Sequence, residues 1–180
     1  MDTMSVRIET DRLVLRLPRL DDAEAVSHYL DDYGVAGNLA RVPLPYTLSD
    51  AQTWLHSRNV SLPPAETSFI IATPDDACIG VVGFHQGREG IVFGYWLGRP
   101  FWNRGMMTEA GAAALDWLFE NSLTERVLSG VFAFNAASLA VQHKLGFTEI
   151  GRSSQVCLAR GGELEHIDTQ LTRSVWKARR

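Results

Sequence analysis

Apolar residues recur along this chain in two rhythms, every second position in some stretches and every third or fourth in others. Residues 6–17, VRIETDRLVLRL, set Leu13, Leu15 and Leu17 on one side with Arg12 and Arg16 between them. That alternation predicts a half-buried strand, which Pro18 ends. Asp21 or Asp22 then predicts the cap of a helix running to about Leu30, with Ala23, Val26, Tyr29 and Leu30 on one face. Residues 33–47, with two glycines and two prolines, read as irregular. A loop of that length is either a binding loop or lid, or a connection that covers the core. Ser49 and Gln52 form a capping-box pattern that opens a helix from about Asp50 to Arg58, and Pro63-Pro64 break the chain.

Three apolar runs follow in close succession: Ser68 to Ala72, Cys78 to His85 and Ile91 to Leu97. Turn residues Pro74-Asp75-Asp76 and Gly87-Arg88-Glu89-Gly90 separate them, so they read as an antiparallel meander. A helix comes next, then a strand from Val127 to Phe134, and a short helix from about Ala136 to Lys144 stopped by Gly146. A strand over 148–160, a turn at Gly161-Gly162 and a strand from Glu163 to Trp176 complete the order β-α-α-β-β-β-α-β-α-β-β. This order predicts an α+β, or mixed α/β, domain. The helix after Ile91–Leu97 is a crossover, so the strand that follows it must run parallel to Ile91–Leu97. Two parallel neighbours that splay at their ends leave a cleft, with the start of that helix at its mouth.

The stretch that concentrates the chemistry is 94–118, GYWLGRPFWNRGMMTEAGAAALDWL. A strand stops at Gly98-Arg99-Pro100, a glycine-containing loop follows, and Ala110, Ala112, Ala113, Ala114, Leu115 and Leu118 make a firm helix. The first amides of such a helix lack internal partners and carry the positive end of its dipole, which suits an anion. The other reading is an ordinary strand-to-helix connection. The chain has no G-x-x-x-x-G-K-[ST] and no G-x-G-x-x-G after the strand, which excludes a nucleotide P-loop and a dinucleotide fingerprint.

Composition narrows the classes. At 180 residues the chain is expected to form one domain over 1–180. A net charge of −4 argues against a nucleic-acid groove. Cys78 and Cys157 are far apart and read as buried free thiols of a cytoplasmic protein. Met1-Asp2-Thr3-Met4 leads into a charged strand and does not look like a signal peptide. No apolar run reaches the roughly 18 residues of a membrane span, so no membrane partner is expected.

These ordered segments are similar to a known family. IETDRLVLRLPRLDDAEAV, VPLPYTLSDAQTWL, IGVVGF, FGYWLGRPFWNRGMMTEA and FNAASLAVQHKLGFTEIG resemble the GNAT (GCN5-related) N-acetyltransferase superfamily, and within it the RimJ/RimL-type, ribosomal-protein N-acetyltransferase-like branch. The resemblance covers nearly the whole chain. It implies a mostly antiparallel twisted sheet of about seven strands, splayed between the fourth and fifth, with about four flanking helices. It implies acetyl-CoA as cosubstrate, no metal, and an amine acceptor that is a protein N-terminus or a small molecule. A homodimer is the default assembly. A non-catalytic CoA-binding sensor or scaffold of the same fold is the alternative.

The resemblance also assigns residues. The family's pyrophosphate loop falls on Trp102, Asn103, Arg104, Gly105, Met106 and Met107, followed by Thr108. Gly105 matches the pattern, Trp102 stands where Gln or Arg is usual, and Met107 replaces a small residue and is expected to crowd the phosphate. The backbone of Tyr95, Trp96 and Leu97 would pair with the pantetheine arm, and an N–H near Leu97 would polarise the thioester carbonyl. Asn135 and Ser138 match an Asn-x-x-Ser pair that contacts pantetheine and the thiol end, and Lys144 belongs to the Lys-Leu-Gly-Phe that closes the same helix. Many family members carry a Tyr seven residues after this Asn, as the acid for the leaving thiolate. Here that position is Gln142, which makes Ser138, or a water it holds, the candidate acid. For the base, His85 is either catalytic or structural. Glu109 is either a base or a helix-start carboxylate, and Glu165, His166 and Asp168 line either the acceptor side or a solvated strand. Tyr33, Arg41 and Tyr46 are acceptor contacts or packing.

Overall fold

The alternation at Ser68–Ala72 is hard to see in sequence because both faces of that strand are covered. In the computed structural model, which describes residues 6–58 and 62–179, Phe69 and Ile71 point into one apolar cluster and Ile70 and Ala72 into another. A sheet buried on both faces gives near-continuous apolar runs. The sheet has eight strands: β1 Arg7–Glu9, β2 Val14–Arg16, β3 Ser68–Ala72, β4 Cys78–Gln86, β5 Ile91–Leu97, β6 Arg126–Phe132, β7 Thr148–Cys157 and β8 Gly162–Thr172. Their spatial order is β1-β2-β3-β4-β5-β6-β8-β7. Every neighbour pair is antiparallel except β5 and β6, which are parallel as the crossover requires.

Six helices flank the sheet among the described residues: α1 Ala23–Leu30, α2 Tyr33–Ala36, α3 Leu48–Arg58, α4 Met106–Asn121, α5 Ala136–Leu145 and α6 Arg173–Ala178. On one face α4 lays Met107, Ala110, Ala114, Leu115 and Leu118 against Phe69, Val82, Phe84 and Phe93. Leu115 and Leu118 are fully buried, each worth about 1.5–3 kcal/mol by removal from water. Gly111 lets α5 approach, since a Cβ there would sit 2.8 Å from a Leu145 methyl. On the other face α1 and α3 bury Val26, Leu30, Ala51 and Leu55 against Ile70, Ala72 and Val81.

The α+β class and the splayed parallel pair agree with expectation, but several elements differ. Residues 6–17 form a hairpin of two strands rather than one, because Thr10 accepts from the Leu13 N–H and donates to its carbonyl, closing a turn. Arg16 is not on a wet face; it is 6% exposed, bonded to both oxygens of Asp22 at 2.9 and 2.7 Å and to Asp76 at 2.6 Å. Asp22 therefore does not cap α1 through its side chain; the carboxylate also accepts from the Arg19 N–H. The capping box of α3 is Thr47 with Asp50, not Ser49 with Gln52. Irregular 33–47 contains α2, whose first turn Asp32 caps. The strand after α4 stops at Phe132, not Phe134, and the one after α5 at Cys157, not residue 160. The last strand ends at Thr172, where the Thr172 hydroxyl caps α6. The opening Met1-Asp2-Thr3-Met4 lies outside the described residues.

Candidate functional site

The backbone of β5 determines where its free groups point. Gly98 donates to Ile79 at 2.8 Å and Gly87 to Gly90 at 2.8 Å, which fixes the phase of the β4–β5 ladder. In an antiparallel pair, hydrogen-bonding residues alternate. Val92, Gly94 and Trp96 therefore bond to β4, while Phe93, Tyr95 and Leu97 turn their N–H and C=O groups the other way, towards β6. But β6 accompanies β5 only at Val92–Leu128. Beyond it the Ser129 hydroxyl donates to the Phe93 carbonyl at 2.8 Å, and the Trp102 indole donates to the Leu97 carbonyl at 2.7 Å. The amides of Tyr95 and Leu97 thus face a gap with no strand opposite them. Trp96 turns its backbone to β4 and contributes its side chain to the lining.

The gap widens into a cleft of about 450 Å³. Tyr95, Trp96 and Leu97 line one side, Asn135, Ser138 and Lys144 the other, and Trp102, Asn103, Arg104, Gly105, Met106, Met107 and Thr108 one end. All thirteen residues the sequence assigned to acetyl-CoA binding meet there. Val35, Asn38 and Leu39, from α2 and the loop after it, also line it. They belong to the stretch 33–47 that the sequence offers as a binding loop or as a cover for the core, although none of them was singled out.

Each wall has a local cause. Asn103 and Gly105 both have positive φ, 59° and 72°, so the loop before α4 doubles back within four residues. Asn and Gly tolerate that region best. Gly105 is the N-cap of α4 and no side chain caps the helix; its first backbone bond runs from Glu109 to Gly105. The amides of Met106, Met107 and Thr108 are thus left to accept an anion. Met107 lines this end with only a small part of its surface. It is 8% exposed and heads the buried stripe Met107-Ala110-Ala114, so the side chain is drawn into the core. Donor amides at a helix start beside an apolar slot can hold an anionic group with an extended chain attached.

Asn135 is the N-cap of α5, its side chain accepting from the Ser138 N–H at 3.1 Å. Ser138 in turn has its hydroxyl 2.7 Å from the Tyr95 hydroxyl. Gln142, fully buried, accepts from Thr169 at 2.5 Å and donates to Ser129 at 2.9 Å and the Gly130 carbonyl at 3.2 Å. The Tyr95 hydroxyl is the feature sequence reasoning passed over. Its side chain shares a face with Phe93 and Leu97, and strand alternation alone would have aimed it at α5.

The titratable candidates separate. Glu109 accepts from Thr10 at 2.6 Å, from the Arg12 N–H at 2.9 Å and from the Arg12 guanidinium at 2.7 Å. Burial pushes its carboxyl up, but these hydrogen bonds and the Arg12 charge outweigh it and hold the group below its ordinary value. It is a strut and not a free base. Arg12 also donates to the Arg104 carbonyl at 2.8 Å, so the first hairpin braces the loop. His85 pairs with Val92, at the closed end of the splay, and is not among the cleft-lining residues. Burial, then the charge of Arg41, lowers its pKa. His166 pairs with Phe132, level with the open end and on the same sheet face as Trp96, and like His85 it lies outside the cleft lining. Its Nδ1 is 2.8 Å from Asp168, which Ser153 also contacts at 2.9 Å. Gly130 clears space for the imidazole, which a Cβ there would strike. Glu165 is paired with Arg152 at 2.7 Å. Tyr46 is packed in the α1–α3 cluster, burial pushing its phenol up to about 12, and Tyr33 is exposed under Arg160. Arg41 is exposed and lies outside the cleft lining. Cys78 and Cys157 are buried and free. Among the described residues no group of three or more His, Cys, Asp or Glu could hold a metal, and no helix is long and apolar enough to cross a membrane.

Known proteins share both sequence and fold. The Acetyltransferase (GNAT) domain family matches residues 12–148. The N-acetyltransferase p20 of Bacillus licheniformis is 31% identical over 149 residues, 79% of this chain and 82% of that protein. The [ribosomal protein uS5]-alanine N-acetyltransferase of Escherichia coli is 25% identical over 184 aligned positions, 95% of this chain and 93% of that one. The structure of Mycobacterium smegmatis RimJ in complex with CoA-disulfide superimposes with a TM-score of 0.76 at 21% identity, covering 90% of this chain and 82% of that chain.

Proposed function

This chain belongs to the GNAT acetyltransferase family, and from that membership we propose that it moves an acetyl group from acetyl-CoA to a primary amine by direct attack in a ternary complex. The observation that carries this reading is the β5–β6 gap, with the Tyr95 and Leu97 amides turned into it and the uncapped start of α4 at one end. The loop amides hold the pyrophosphate, and the pantetheine arm runs along β5 as an added strand. The Leu97 N–H donates to the oxygen that becomes negative as the amine attacks. Binding both partners in the cleft supplies orientation, and no covalent enzyme intermediate is required. Two buried free cysteines suit a cytoplasmic protein.

The amine approaches from the sheet face that carries Trp96. Its ammonium proton goes to His166: Nδ1 is held 2.8 Å from the Asp168 carboxylate, which leaves Nε2 as the ring nitrogen that meets the amine. The relative that acetylates an alanine of ribosomal protein uS5 makes an Ala-initiated peptide the first acceptor to test, ahead of small amines. A CoA-binding module without turnover is the second reading, favoured by Gln142, whose amide is spent on Thr169 and Ser129. Thiol release from acetyl-CoA, measured over a panel of N-terminal peptides and small amines, separates them. Release with one acceptor class supports the transferase; calorimetric binding of acetyl-CoA without release across the panel supports the module.

A further inference from the structure

Gln142 carries no proton to give, so the leaving thiolate needs another acid. We propose that Tyr95, entering the cleft from β5, protonates the departing sulfur, with Ser138 as its hydrogen-bond partner and not as the acid. The proposal rests on the transferase reading above and names a group within that site.

The Tyr95 hydroxyl is 2.7 Å from the Ser138 hydroxyl and donates to the Ser138 carbonyl at 3.2 Å, spanning the cleft between β5 and α5. Its ring packs on Phe93 with centroids 5.1 Å apart, which fixes where the hydroxyl points. Tyr95 also lies two residues from Leu97 on the same strand, so the acid and the oxyanion donor share one rigid element. The chemistry favours a phenol over an alcohol. A free phenol titrates at about 10 and a thiol at about 8.5, so even a phenol raised by burial is far better matched to the leaving thiolate than an alcohol is. A serine hydroxyl does not ionise in that range. Burial pushes the Tyr95 phenol up, against hydrogen bonds to Ser138 and Gln142, so it is protonated at neutral pH. Gln142 then has a different part. With Ser129 and Thr169 it props β6 and β8 at the level where β5 departs, which keeps the Tyr95 hydroxyl and the gap together.

The step balances without a further reagent. The amine nitrogen bonds to the thioester carbon, and the carbonyl electrons move onto oxygen. Their return breaks the carbon–sulfur bond, and sulfur leaves with the electron pair. Tyr95 gives its proton to that sulfur, forming free CoA thiol, and the phenolate regains a proton from solvent through the Ser138 hydroxyl. The nitrogen's extra proton leaves through His166.

Tyr95→Phe keeps the ring and removes the hydroxyl. Calorimetry with CoA and with desulfo-CoA reads the contact without turnover. The wild-type protein is expected to bind CoA several-fold more tightly than desulfo-CoA, and Tyr95→Phe to erase that difference while leaving desulfo-CoA affinity unchanged. With an amine acceptor, Tyr95→Phe is expected to lower kcat by about 100-fold, the usual size of general-acid catalysis, with KM for acetyl-CoA within about two-fold. The alkaline limb of kcat disappears, and Ser138→Ala costs less than Tyr95→Phe. Replacing Tyr95 with 3,5-difluorotyrosine, a more acidic phenol that keeps the hydroxyl, shifts the alkaline limb to lower pH and covers the case in which Tyr95→Phe fails to fold. An unchanged kcat and pH profile in Tyr95→Phe, or an unshifted limb with difluorotyrosine, overturns the proposal while leaving the transferase intact. A wild-type protein that binds neither CoA nor desulfo-CoA overturns the transferase reading itself.

Discussion

The guanidinium of Arg12 and the carboxylate of Glu109 meet at 2.7 Å across 97 positions of sequence, and they join the first hairpin to the first turn of α4. The same Arg12 donates to the Arg104 carbonyl, and Glu109 accepts from Thr10 and the Arg12 N–H. A carboxylate in the first turn also complements the helix dipole, while Arg12 offsets its charge beside a loop meant for an anion.

Removing that strut is expected to loosen the loop. Glu109→Gln offers one oxygen and a donor amide to three donors, so at least one of them loses its acceptor, and should cost about 1–3 kcal/mol in urea unfolding, the scale of an unsatisfied hydrogen-bonding group. CoA affinity should fall as well, since the Arg104 carbonyl loses its brace. The pH dependence follows from the depressed pKa of Glu109. Its stabilisation is full above the ordinary value of 4.5 and is lost as pH falls through the folded-state value below it. In an acid titration Glu109→Gln should therefore lose less stability below pH 4.5 than the wild type does.

Gly105 separates conformational from electrostatic demands. Its φ is 72°, and a Cβ there would meet nothing nearer than Arg12 at 3.5 Å. Gly105→Ala thus costs only the left-handed backbone, about 1–2 kcal/mol. Gly105→Asp adds a negative charge beside the amides of Met106 and Met107. CoA affinity by calorimetry should drop modestly for Ala and by more than about ten-fold for Asp, with the gap narrowing at high salt. Equal affinities for both variants would remove the loop from the phosphate site.

How much of this could be read beforehand depended on the range of the interaction. The strands Ser68–Ala72 and Ile91–Leu97, the loop at Gly105 and the Gly146 stop of α5 are local patterns, and each stands within a residue or so of its expected place. The parallel β5–β6 pair followed from chain connectivity alone. What the sequence concealed were partners far apart. Arg16 looked like the polar half of an alternating strand because Asp22 and Asp76, which bury it, sit in other segments. Glu109 looked like a helix-start acid because nothing local announces Arg12. Tyr95 was noticed for its backbone, since its side chain gains meaning only when α5 brings Ser138 beside it.

The buried Arg16 cluster makes a stability prediction away from the cleft. Both side chains of the Arg16–Asp22 pair are nearly inaccessible, at 7% and 5% exposure. Burial alone would lower the Arg16 pKa, but the hydrogen bonds and charges of Asp22 and Asp76 raise it, so the guanidinium stays charged. Asp22→Ala removes two charged hydrogen bonds and leaves Asp76 as the remaining carboxylate partner, and should cost about 1.5–3 kcal/mol in urea unfolding. Asp21→Ala, whose carboxylate is exposed, serves as the control and should stay within about 0.5 kcal/mol. Retained acetyl-CoA affinity in folded Asp22→Ala would place the cluster's role in the scaffold and not in the site.

Two histidines compete for the acceptor's proton, and their positions on the sheet predict opposite results. His85 is on β4 beside Val92, where β5 and β6 are still paired. The open end, at Trp96 and Phe132, lies four residues further, roughly 13 Å at a strand's rise. His166 is level with that end, with Nδ1 held by Asp168. His166→Gln should lower kcat/KM by about 100-fold, with acetyl-CoA affinity unchanged. Asp168→Asn should give a smaller loss of the same kind, because it releases the tautomer without removing the ring. His85→Gln should leave kcat/KM in place and act on stability instead. Burial and Arg41 depress the His85 pKa, so its stabilisation is present above about 6.5 and lost as pH falls through the lower folded value. His85→Gln should remove that acid-side loss in thermal melts. If kcat/KM falls by about 100-fold in His85→Gln and survives in His166→Gln, the base is His85 and the amine enters from the closed end of the splay.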